Sequence, residues 1–333
     1  MIELKIGDFE IGKNHPTFII AEIGLNHNGD VDLAKKMVKE AKKCGANAVK
    51  FQMFDTDELY SKEHKIYSIF EPLEFSKDEW YEIKNFANKE DILFTASVFD
   101  KNSVDLLDKL NSPMFKIASG DLTHIPLLDY ISKKNKPTII STGLSNISEV
   151  EEAVNTFNSN GNHEIALLHC VSNYPASLEN LNVNVIKTLK RVFDIPVGFS
   201  DHTLGIMAPS IAVALGADIV EKHFTLDRNM EGPDQKLSLP PDMFKEMVEK
   251  IRYIEKGLGD GLKKPVEDEK MIKNARRSIT ARNVIRKGEE ISEEDLKITR
   301  PENGIKPKFY KIVVGREARK TIEKDEPLRW EYI

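Results

Sequence analysis

TFIIAEIGLNHNGDVDLAKKMVKEAKKCGANAVKFQM, residues 17–53, contains one complete strand–helix–strand pattern. Its two ends, 17–23 and 47–53, are apolar runs with little alternation, which is typical of parallel strands buried on both faces. Between them, residues 30–44 repeat apolar side chains at helical spacing, and Gly45 follows as a C-terminal stop signal. The stretch therefore predicts a βαβ unit.

The same pattern continues along the chain. Further strands are predicted at 92–96, 114–118, 137–141, 164–170, 195–199 and 218–224. Further helices are predicted at 77–89, 101–110, 123–134, 146–158, 181–191, 206–215 and 241–256. Eight β-α repeats ending near residue 256 predict an α/β fold of the (β/α)8 TIM-barrel type. An open doubly wound sheet is the alternative, and the regularity of the eight repeats favours the barrel.

The pattern changes after the last repeat. We predict a TIM-barrel catalytic domain over 1–262, a charged linker over 263–275 and a small domain over 276–333. In the small domain, RSITARNVI, DLKITRP and KIVVG are predicted as short strands, and EEISEEDL as a turn with a short helix. A domain of about 58 residues has marginal stability alone, so we expect it to lean on the barrel or on another subunit.

The composition limits the class of protein. Of the 333 residues, 40% are hydrophobic and 31% are charged, as in ordinary soluble globular proteins. No apolar run is long enough for a spanning helix, and the N-terminus lacks a secretory signal pattern. Two cysteines cannot form a disulfide framework, which fits a reducing compartment. We therefore expect a cytoplasmic protein, and the net charge of −6 argues against nucleic acid as a partner.

Charge is distributed unevenly along the chain. Residues 275–333 carry a net charge of +4, and residues 1–274 carry −10. A basic small domain could dock on an acidic barrel or help to attract an anionic substrate. Surface variation without functional meaning explains the same numbers equally well.

Polar side chains occur at the carboxyl end of every predicted strand, where a TIM barrel places its active site. Packing alone does not explain them, because each buried polar group needs a partner. They are Glu22, Lys50, Gln52, Ser97, Lys116, Ser119, Asp121, Ser141, His169, Ser172, Tyr174, Ser200, Asp201, His202, Glu221, Lys222 and His223.

Two lysines among these residues indicate an anion site. Lys50 and Lys116 are costly inside a barrel unless they face an anion, and four strand-end serines at 97, 119, 141 and 200 could complete a cradle for phosphate or carboxylate. An ion pair with Glu22 or Asp121 is the structural alternative. The chain contains neither GxGxxG nor a Walker loop, so no nucleotide-binding motif is present.

Two histidines end neighbouring predicted strands. Neutral imidazoles at His202 and His223 could bind one divalent metal ion and leave positions open for water and substrate oxygen. The spacing alone leaves a role without metal open. His27, in NHNG, is expected to be a loop residue that lines the mouth of the barrel.

The motifs at the strand ends form a recognisable series. IIAEIGLNHNGD, VKFQ, FKIASGDL, STGLS, LHCVSNYP, VGFSDHTLGI, VEKHFT and GPDQKLSL occur in this order, and RRSITARNVIRKGEEISEEDLKITRPENGI follows. Over essentially its whole length the chain resembles the sialic acid synthase family. Its C-terminal segment resembles the antifreeze-like SAF domain of that family.

This resemblance implies a reaction. Phosphoenolpyruvate would condense with the open-chain aldehyde of N-acetylmannosamine, through C–C bond formation and C–O cleavage, to give a nine-carbon 2-keto acid and phosphate. Legionaminate or pseudaminate synthases, which use a 2,4-diacetamido-2,4,6-trideoxyhexose, share the same motifs and are the alternative. A phosphoenolpyruvate synthase acting on a sugar phosphate and a non-catalytic carbohydrate-binding protein are further alternatives.

The resemblance also implies roles for single residues. A divalent ion, Mn²⁺ or alternatively Mg²⁺ or Co²⁺, would be held by His202 and His223 and would polarise the aldehyde. Glu22 would stabilise developing positive charge and take a proton from the attacking water, and Asp121 belongs to the same catalytic group. The substrate-binding residues would be Lys50, Gln52, Ser97, Lys116, Ser119, Ser141, Ser172, Tyr174, Ser200, Asp234 and Arg300.

A domain-swapped homodimer is a further implication, in which the SAF domain of one subunit covers the barrel of the other. Arg300 would then reach the acylamino group of the sugar across the dimer. Four positions differ from the commonest family pattern, and we expect them on loops that contact the sugar. They are Val98, Asp121, Ser172 and Gln235.

Overall fold

Two units make up the structure, a computed structural model that describes residues 3–333. Met1–Asp260 forms the first unit and Gly261–Ile333 the second. Each unit has its own hydrophobic core.

Eight parallel strands close into a barrel in the first unit, in which each strand pairs with the next along the chain and the last pairs with the first. The TIM barrel predicted from the sequence is therefore confirmed. The barrel strands are β3 (Phe18–Gly24), β4 (Ala48–Met53), β5 (Leu93–Val98), β6 (Phe115–Ile117), β7 (Thr138–Ser141), β8 (Ile165–Cys170), β9 (Val197–Asp201) and β10 (Ile219–His223).

Helices surround the barrel and follow its strands. They are α1 (Val31–Lys43), α2 (Thr56–Leu59), α3 (Tyr67–Phe70), α4 (Lys77–Lys89), α5 (Lys101–Lys109), α6 (Ile125–Ser132), α7 (Ile147–Ser159), α8 (Val185–Phe193), α9 (Met207–Ala214) and α10 (Pro241–Leu258). Asp30 caps α1 by accepting hydrogen bonds from the backbone of Asp32 and Leu33. Within residues 3–333, no helix combines the length and apolarity needed to cross a membrane.

A hairpin that the sequence analysis missed fills the amino-terminal end of the barrel. It consists of β1 (Leu4–Ile6) and β2 (Phe9–Ile11), joined by a turn at Gly7, which has a φ of +58°. Its apolar side chains join one buried cluster with the inward residues at the start of the barrel strands. The barrel interior is therefore apolar at this end, and the polar side chains that line the cavity lie at the carboxyl end.

The second unit contains short elements around a small core. These are α11 (Glu269–Ala275), β11 (Ser278–Ala281), β12 (Leu296–Thr299) and α12 (Tyr310–Val313). The strands β11 and β12 pair antiparallel. The strand predicted for KIVVG is wrong, because this run begins within α12, which packs Val313 into the core and is followed by Gly315 at a φ of +82°. The helix α11 lies in the segment predicted as a linker.

Candidate active site

A cavity of about 440 Å³ opens at the carboxyl ends of the barrel strands. Most of the side chains singled out from the sequence line this single cavity. These are Glu22, Lys50, Gln52, Ser97, Lys116, Ser119, Asp121, Ser141, Ser172, Tyr174, Ser200, His202 and His223. Asp234 lies beside His223, whereas Arg300 is an exposed residue of the second unit.

Lys50 lies at the floor of the cavity, on β4. Its Nζ is 2.7 Å from Glu22 Oε2 and donates a hydrogen bond of 2.9 Å to Ser97 Oγ. The ion pair considered as an alternative therefore exists, within the same group of residues that was predicted to hold an anion. Because all three side chains are buried, the pair lies in a low-dielectric environment in which charges interact strongly.

Lys116, on β6, occupies the neighbouring part of the floor. Its Nζ donates to Ser141 Oγ at 2.6 Å and to the carbonyl of Ile117 at 2.9 Å. The nearest carboxylate, Glu221, is 4.0 Å away and accepts a hydrogen bond of 3.0 Å from Ser200 Oγ. The charge of Lys116 is therefore only partly compensated by the protein.

Burial shifts the protonation equilibria of these groups. It raises the pKa of Glu22 to about 7, although Lys50 acts in the opposite direction. Burial also raises the pKa of Asp121 to about 6 and lowers the pKa of the Lys116 ammonium below its usual range. For Lys50, burial acts to lower the pKa, but the carboxylates of Glu22 and Glu221 outweigh it and hold this pKa high.

The two histidines face each other across β9 and β10. The ring centroids of His202 and His223 are 5.4 Å apart, and the ring of Tyr174 lies 4.2 Å from that of His202. The Nδ1 atom of His202 is 2.9 Å from the carbonyl of Val171, and since a carbonyl only accepts, this nitrogen carries a proton, which places the lone pair of the neutral imidazole on Nε2. Burial acts to lower the pKa of His202, but its hydrogen bonds to Cys170 and Val171 outweigh burial and raise this pKa.

His223 has a different environment. Among the described residues, no hydrogen-bond partner reaches its buried Nδ1, and Asp234 Oδ2 lies 3.8 Å from that atom. Burial, the first cause, and the neighbouring His202 hold the pKa of His223 well below its usual range. The imidazole is therefore neutral, and its Nδ1 has no hydrogen-bond partner among the described residues. Neutral imidazole is the form that binds a metal ion. Within residues 3–333, no three or more acidic, histidine or cysteine side chains are arranged to hold a metal ion.

Three side chains converge on Gly24, at the end of β3. A Cβ atom placed there would lie 3.1 Å from Glu22 Oε1, 3.3 Å from Asp234 Oδ2 and 3.6 Å from Gln52 Nε2. Gly24 also has a φ of +55°, which favours glycine. The absence of a side chain at this position leaves room for Asp234 and Gln52 to approach the Glu22 carboxylate.

A second close approach involves Gly143, which follows β7. A Cβ atom here would lie 2.4 Å from Ser172 Oγ and 2.7 Å from Ser119 Oγ, and the backbone N–H of Gly143 donates to Ser119 at 3.1 Å. Two hydroxyl groups and a peptide backbone therefore meet in a space that only glycine leaves open.

Several lining residues were not predicted from the sequence. An apolar wall of the cavity comes from the loop after β4, which carries α2 and α3, and from the loops after β5 and β7; it comprises Leu59, Tyr60, Phe70, Phe99 and Leu144. Cys170 also lines the cavity, as does Glu221, which the sequence indicated as a strand-end residue but to which no role was given. The signal for Glu221 was its two-residue spacing from His223, since side chains two apart on a strand share a face.

Three expectations about the loops are wrong. His27 does not line the mouth, because its side chain is fully buried and stacks on Phe75 with ring centroids 4.2 Å apart. Val98 belongs to the apolar core. Gln235 is also fully buried, where its Nε2 donates to the carbonyl of Asn26 at 2.9 Å. Of the four divergent positions, only Asp121 and Ser172 line the cavity.

A closed parallel barrel with a pocket of titratable side chains at its carboxyl end defines a TIM-barrel protein with an enzyme-type site. Residues 37–263 match the model of the NeuB family, and residues 276–333 match the model of the SAF domain. The chain belongs to the NeuB family, which confirms the resemblance seen in its motifs.

Similar proteins match nearly the whole chain. An uncharacterised protein of Methanocaldococcus jannaschii is 53% identical over 332 residues, 99% of this chain and 98% of its own. The N,N'-diacetyllegionaminic acid synthase of Campylobacter jejuni is 43% identical over 330 residues, 94% of this chain and 99% of its own. The crystal structure of N-acetylneuraminic acid synthetase from Leptospira borgpetersenii superposes with a TM-score of 0.78 at 39% identity, covering 81% of this chain and 94% of that one.

Proposed function

We propose that this protein condenses phosphoenolpyruvate with the open-chain aldehyde of an N-acylated mannosamine-type sugar, giving a nine-carbon 2-keto acid and phosphate. One observation carries the proposal: two buried lysines, a carboxylate with a pKa of about 7 and two facing imidazoles share one cavity. The names of the relatives, which are synthases of legionaminic and N-acetylneuraminic acid, support the same class of product.

The lysine floor suits phosphoenolpyruvate. Lys50 and Lys116 with their serine partners offer charge-assisted hydrogen bonds to phosphate and carboxylate oxygens. The Gly143 backbone and the hydroxyl groups around it would accommodate the remaining oxygens. The anion would therefore lie deep in the cavity, and the sugar would lie above it, towards Gln52 and Asp234.

The histidine pair fits a divalent metal ion, Mn²⁺ in the first instance. In their neutral forms, His202 offers the lone pair of Nε2 and His223 offers its unpartnered Nδ1 from facing rings, and two protein ligands would leave positions for water and substrate. When bound, such an ion supplies Lewis acidity that polarises a carbonyl group.

Glu22 is placed to act as the base. The nucleophilic C3 of phosphoenolpyruvate forms the new bond to the aldehyde carbon, and positive charge develops at C2, which the Glu22 carboxylate stabilises. Water then adds to C2 and gives its proton to Glu22. Glu22 passes this proton to the alkoxide formed from the aldehyde oxygen. The C2–O bond to phosphate then breaks, phosphate leaves with the bonding electrons and takes the proton of the C2 hydroxyl, and the 2-keto group remains. A pKa of about 7 suits this proton transfer.

A domain-swapped homodimer with Arg300 over the partner's sugar remains part of the proposal. Complementation tests it. Glu22→Gln impairs the site within the barrel, and Arg300→Ala impairs the SAF domain that would cover the partner's barrel. If each chain covers its partner, mixing and refolding the two impaired variants forms heterodimers with one intact site, and activity rises above that of either variant alone. No recovery in confirmed heterodimers would contradict the swap.

Phosphate release from phosphoenolpyruvate with Mn²⁺ tests the reaction itself. We take N-acetylmannosamine as the first substrate and 2,4-diacetamido-2,4,6-trideoxymannose as its rival. Preference for the second would move the protein to the legionaminic branch with the same mechanism. The absence of phosphate release with both sugars, in folded and metal-loaded protein, would leave a different sugar or a non-catalytic carbohydrate-binding role.

A further inference from the structure

A buried ion pair on the outer face of the barrel directly precedes both histidines. Lys222 Nζ lies 2.5 Å from Asp201 Oδ2, and both side chains are completely buried. The two residues are register partners at the last rung of the ladder between β9 and β10. The next residue on each strand is a histidine, so the pair fixes the two strands at the point from which His202 and His223 project.

The same pair holds the residue on the other side of His202. Thr203 donates to Asp201 from both its backbone N–H and its hydroxyl, each at 3.0 Å. The ammonium of Lys222 donates to the carbonyl of Thr203. The backbone on both sides of His202 is therefore bound to one charged cluster, and this histidine cannot shift without breaking buried hydrogen bonds.

Stability alone does not explain this cluster. Removing two opposite charges from water costs free energy that their attraction does not reliably return, and apolar side chains of similar volume often serve as well. A buried cluster in which every hydrogen bond is made holds the groups that it joins in one defined arrangement. The arrangement defined here is that of the two candidate metal ligands.

We propose that Asp201 and Lys222 are positioning residues that set the spacing and the tautomer of His202 and His223 for a divalent metal ion. The proposal rests on the proposed function, because that function supplies the ion. The ring geometry, however, is a property of the protein without metal. If the backbone at His202 moves, the hydrogen bond from its Nδ1 to the Val171 carbonyl is lost, and the proton is no longer fixed on that nitrogen.

The test replaces the charged pair with a neutral one. In Lys222→Met/Asp201→Asn, the asparagine keeps an acceptor for Thr203, and no buried charge remains unpaired. A matched control is available at the opposite end of the same strands, where Lys190 Nζ lies 2.7 Å from Asp218 Oδ2 and the backbone N–H of Val197 donates to Asp218 at 2.9 Å. Lys190→Met/Asp218→Asn removes this pair without touching the histidines.

Imidazole ¹⁵N spectra of the metal-free protein provide the first measurement, with His202→Gln and His223→Gln spectra for assignment. We expect a single Nδ1–H tautomer of His202 in the wild-type protein and in the control. In the neutral-pair variant we expect averaging between the two tautomers. Wild-type signals in that variant, or the same change in the control, would overturn the proposal.

Mn²⁺ titration provides the second measurement. Loss of groups that orient metal ligands weakens metal affinity by about 10- to 100-fold, and we expect this for the neutral pair and not for the control. The KM for phosphoenolpyruvate should be unchanged, because the lysine floor lies on the other face of the strands. Wild-type protein that neither binds Mn²⁺ nor releases phosphate would refute the proposed function, while the imidazole spectra would still decide on positioning.

A milder variant guards against loss of folding. Thr203→Val preserves the shape of the side chain and both charges, and removes only the hydroxyl bond to Asp201. The His202 signal should shift in the same direction as in the neutral pair, by a smaller amount. An unchanged spectrum in this folded variant would count against the proposal.

Discussion

Glu221 and Lys222 are neighbours in sequence but belong to two buried charge clusters on opposite faces of the barrel. On the outer face, Lys222 is matched by Asp201 and by the carbonyl of Thr203. On the inner face, Glu221 lies 3.8 Å from Lys50 and 4.0 Å from Lys116, and its Oε2 has no hydrogen-bond partner among the described residues. The outer cluster is complete, whereas the inner one has unused hydrogen-bonding capacity.

The difference shows how one strand serves structure and chemistry at once. A complete cluster has nothing left to bind a ligand, and its value lies in the geometry it fixes. An incomplete cluster destabilises the fold until a ligand supplies the missing hydrogen-bond partners. A buried polar group without a hydrogen bond has lost its hydration without a compensating interaction. Substitutions inside the barrel should therefore alter activity more than stability.

Loss of His223 should have the largest effect on activity. His223→Ala removes one of two candidate metal ligands, and since a bound ion contributes several kcal/mol to a transition state, turnover should fall about 1000-fold or more. Phosphate release measures this, with thermal unfolding to verify the fold. His163→Ala, at an exposed histidine bonded to Asn158, is the control. Near-normal turnover of His223→Ala at limiting metal would refute the ligand assignment.

Loss of Lys116 should have the next largest effect. Hydrogen bonds to charged groups contribute roughly 1.5–3 kcal/mol, so Lys116→Met should lower kcat/KM for phosphoenolpyruvate about 10- to 100-fold. Steady-state kinetics with each substrate varied in turn will show this. Lys136→Met is the control, since Lys136 pairs with Asp108 at 2.7 Å outside the cavity. A loss confined to the sugar's KM would place the anion elsewhere.

The pH dependence should give the smallest effect. Because the pKa of Glu22 is raised to about 7, its carboxyl group gains a proton as the pH falls through neutrality and can no longer act as a base. The rate should therefore fall about tenfold per pH unit on the acid side, and Glu22→Gln should be slower and lack this limb. The pH–rate profiles of phosphate release test this; an identical acid limb in Glu22→Gln would assign the titration to another group.

Much of the barrel could be predicted because its signals are local. Each apolar run of residues is buried on both faces, and each helix has a continuous apolar stripe, so the bounds of α4 at 77–89 agree with the sequence. The amino-terminal hairpin was missed although ELKIGDFEI alternates around Gly7, because only three residues form each strand. KIVVG failed because short apolar runs fit a strand and a buried helix equally well.

The residues of the site could largely be predicted from the sequence, but the contacts between them could not. Strand ends converge in a TIM barrel, so listing their polar residues assembled most of the cavity. The partner of Lys222 was not visible, because its meeting with Asp201 depends on the register of β10 against β9. The apolar wall with Tyr60 and Phe70 was also missed, since the loop that carries it has no regular period.

The hairpin at the amino-terminal end has a kinetic consequence. Leu4, Ile6 and Ile11 pack against the inward side chains at the start of the barrel strands, so within residues 3–333 this end of the barrel is closed and the cavity opens at the carboxyl end. If phosphoenolpyruvate binds at the lysine floor with the sugar above it, as proposed, a molecule at the floor can leave only after the molecule above it has left. The hairpin side chains, which lie outside the cavity, thereby impose an order of binding and release.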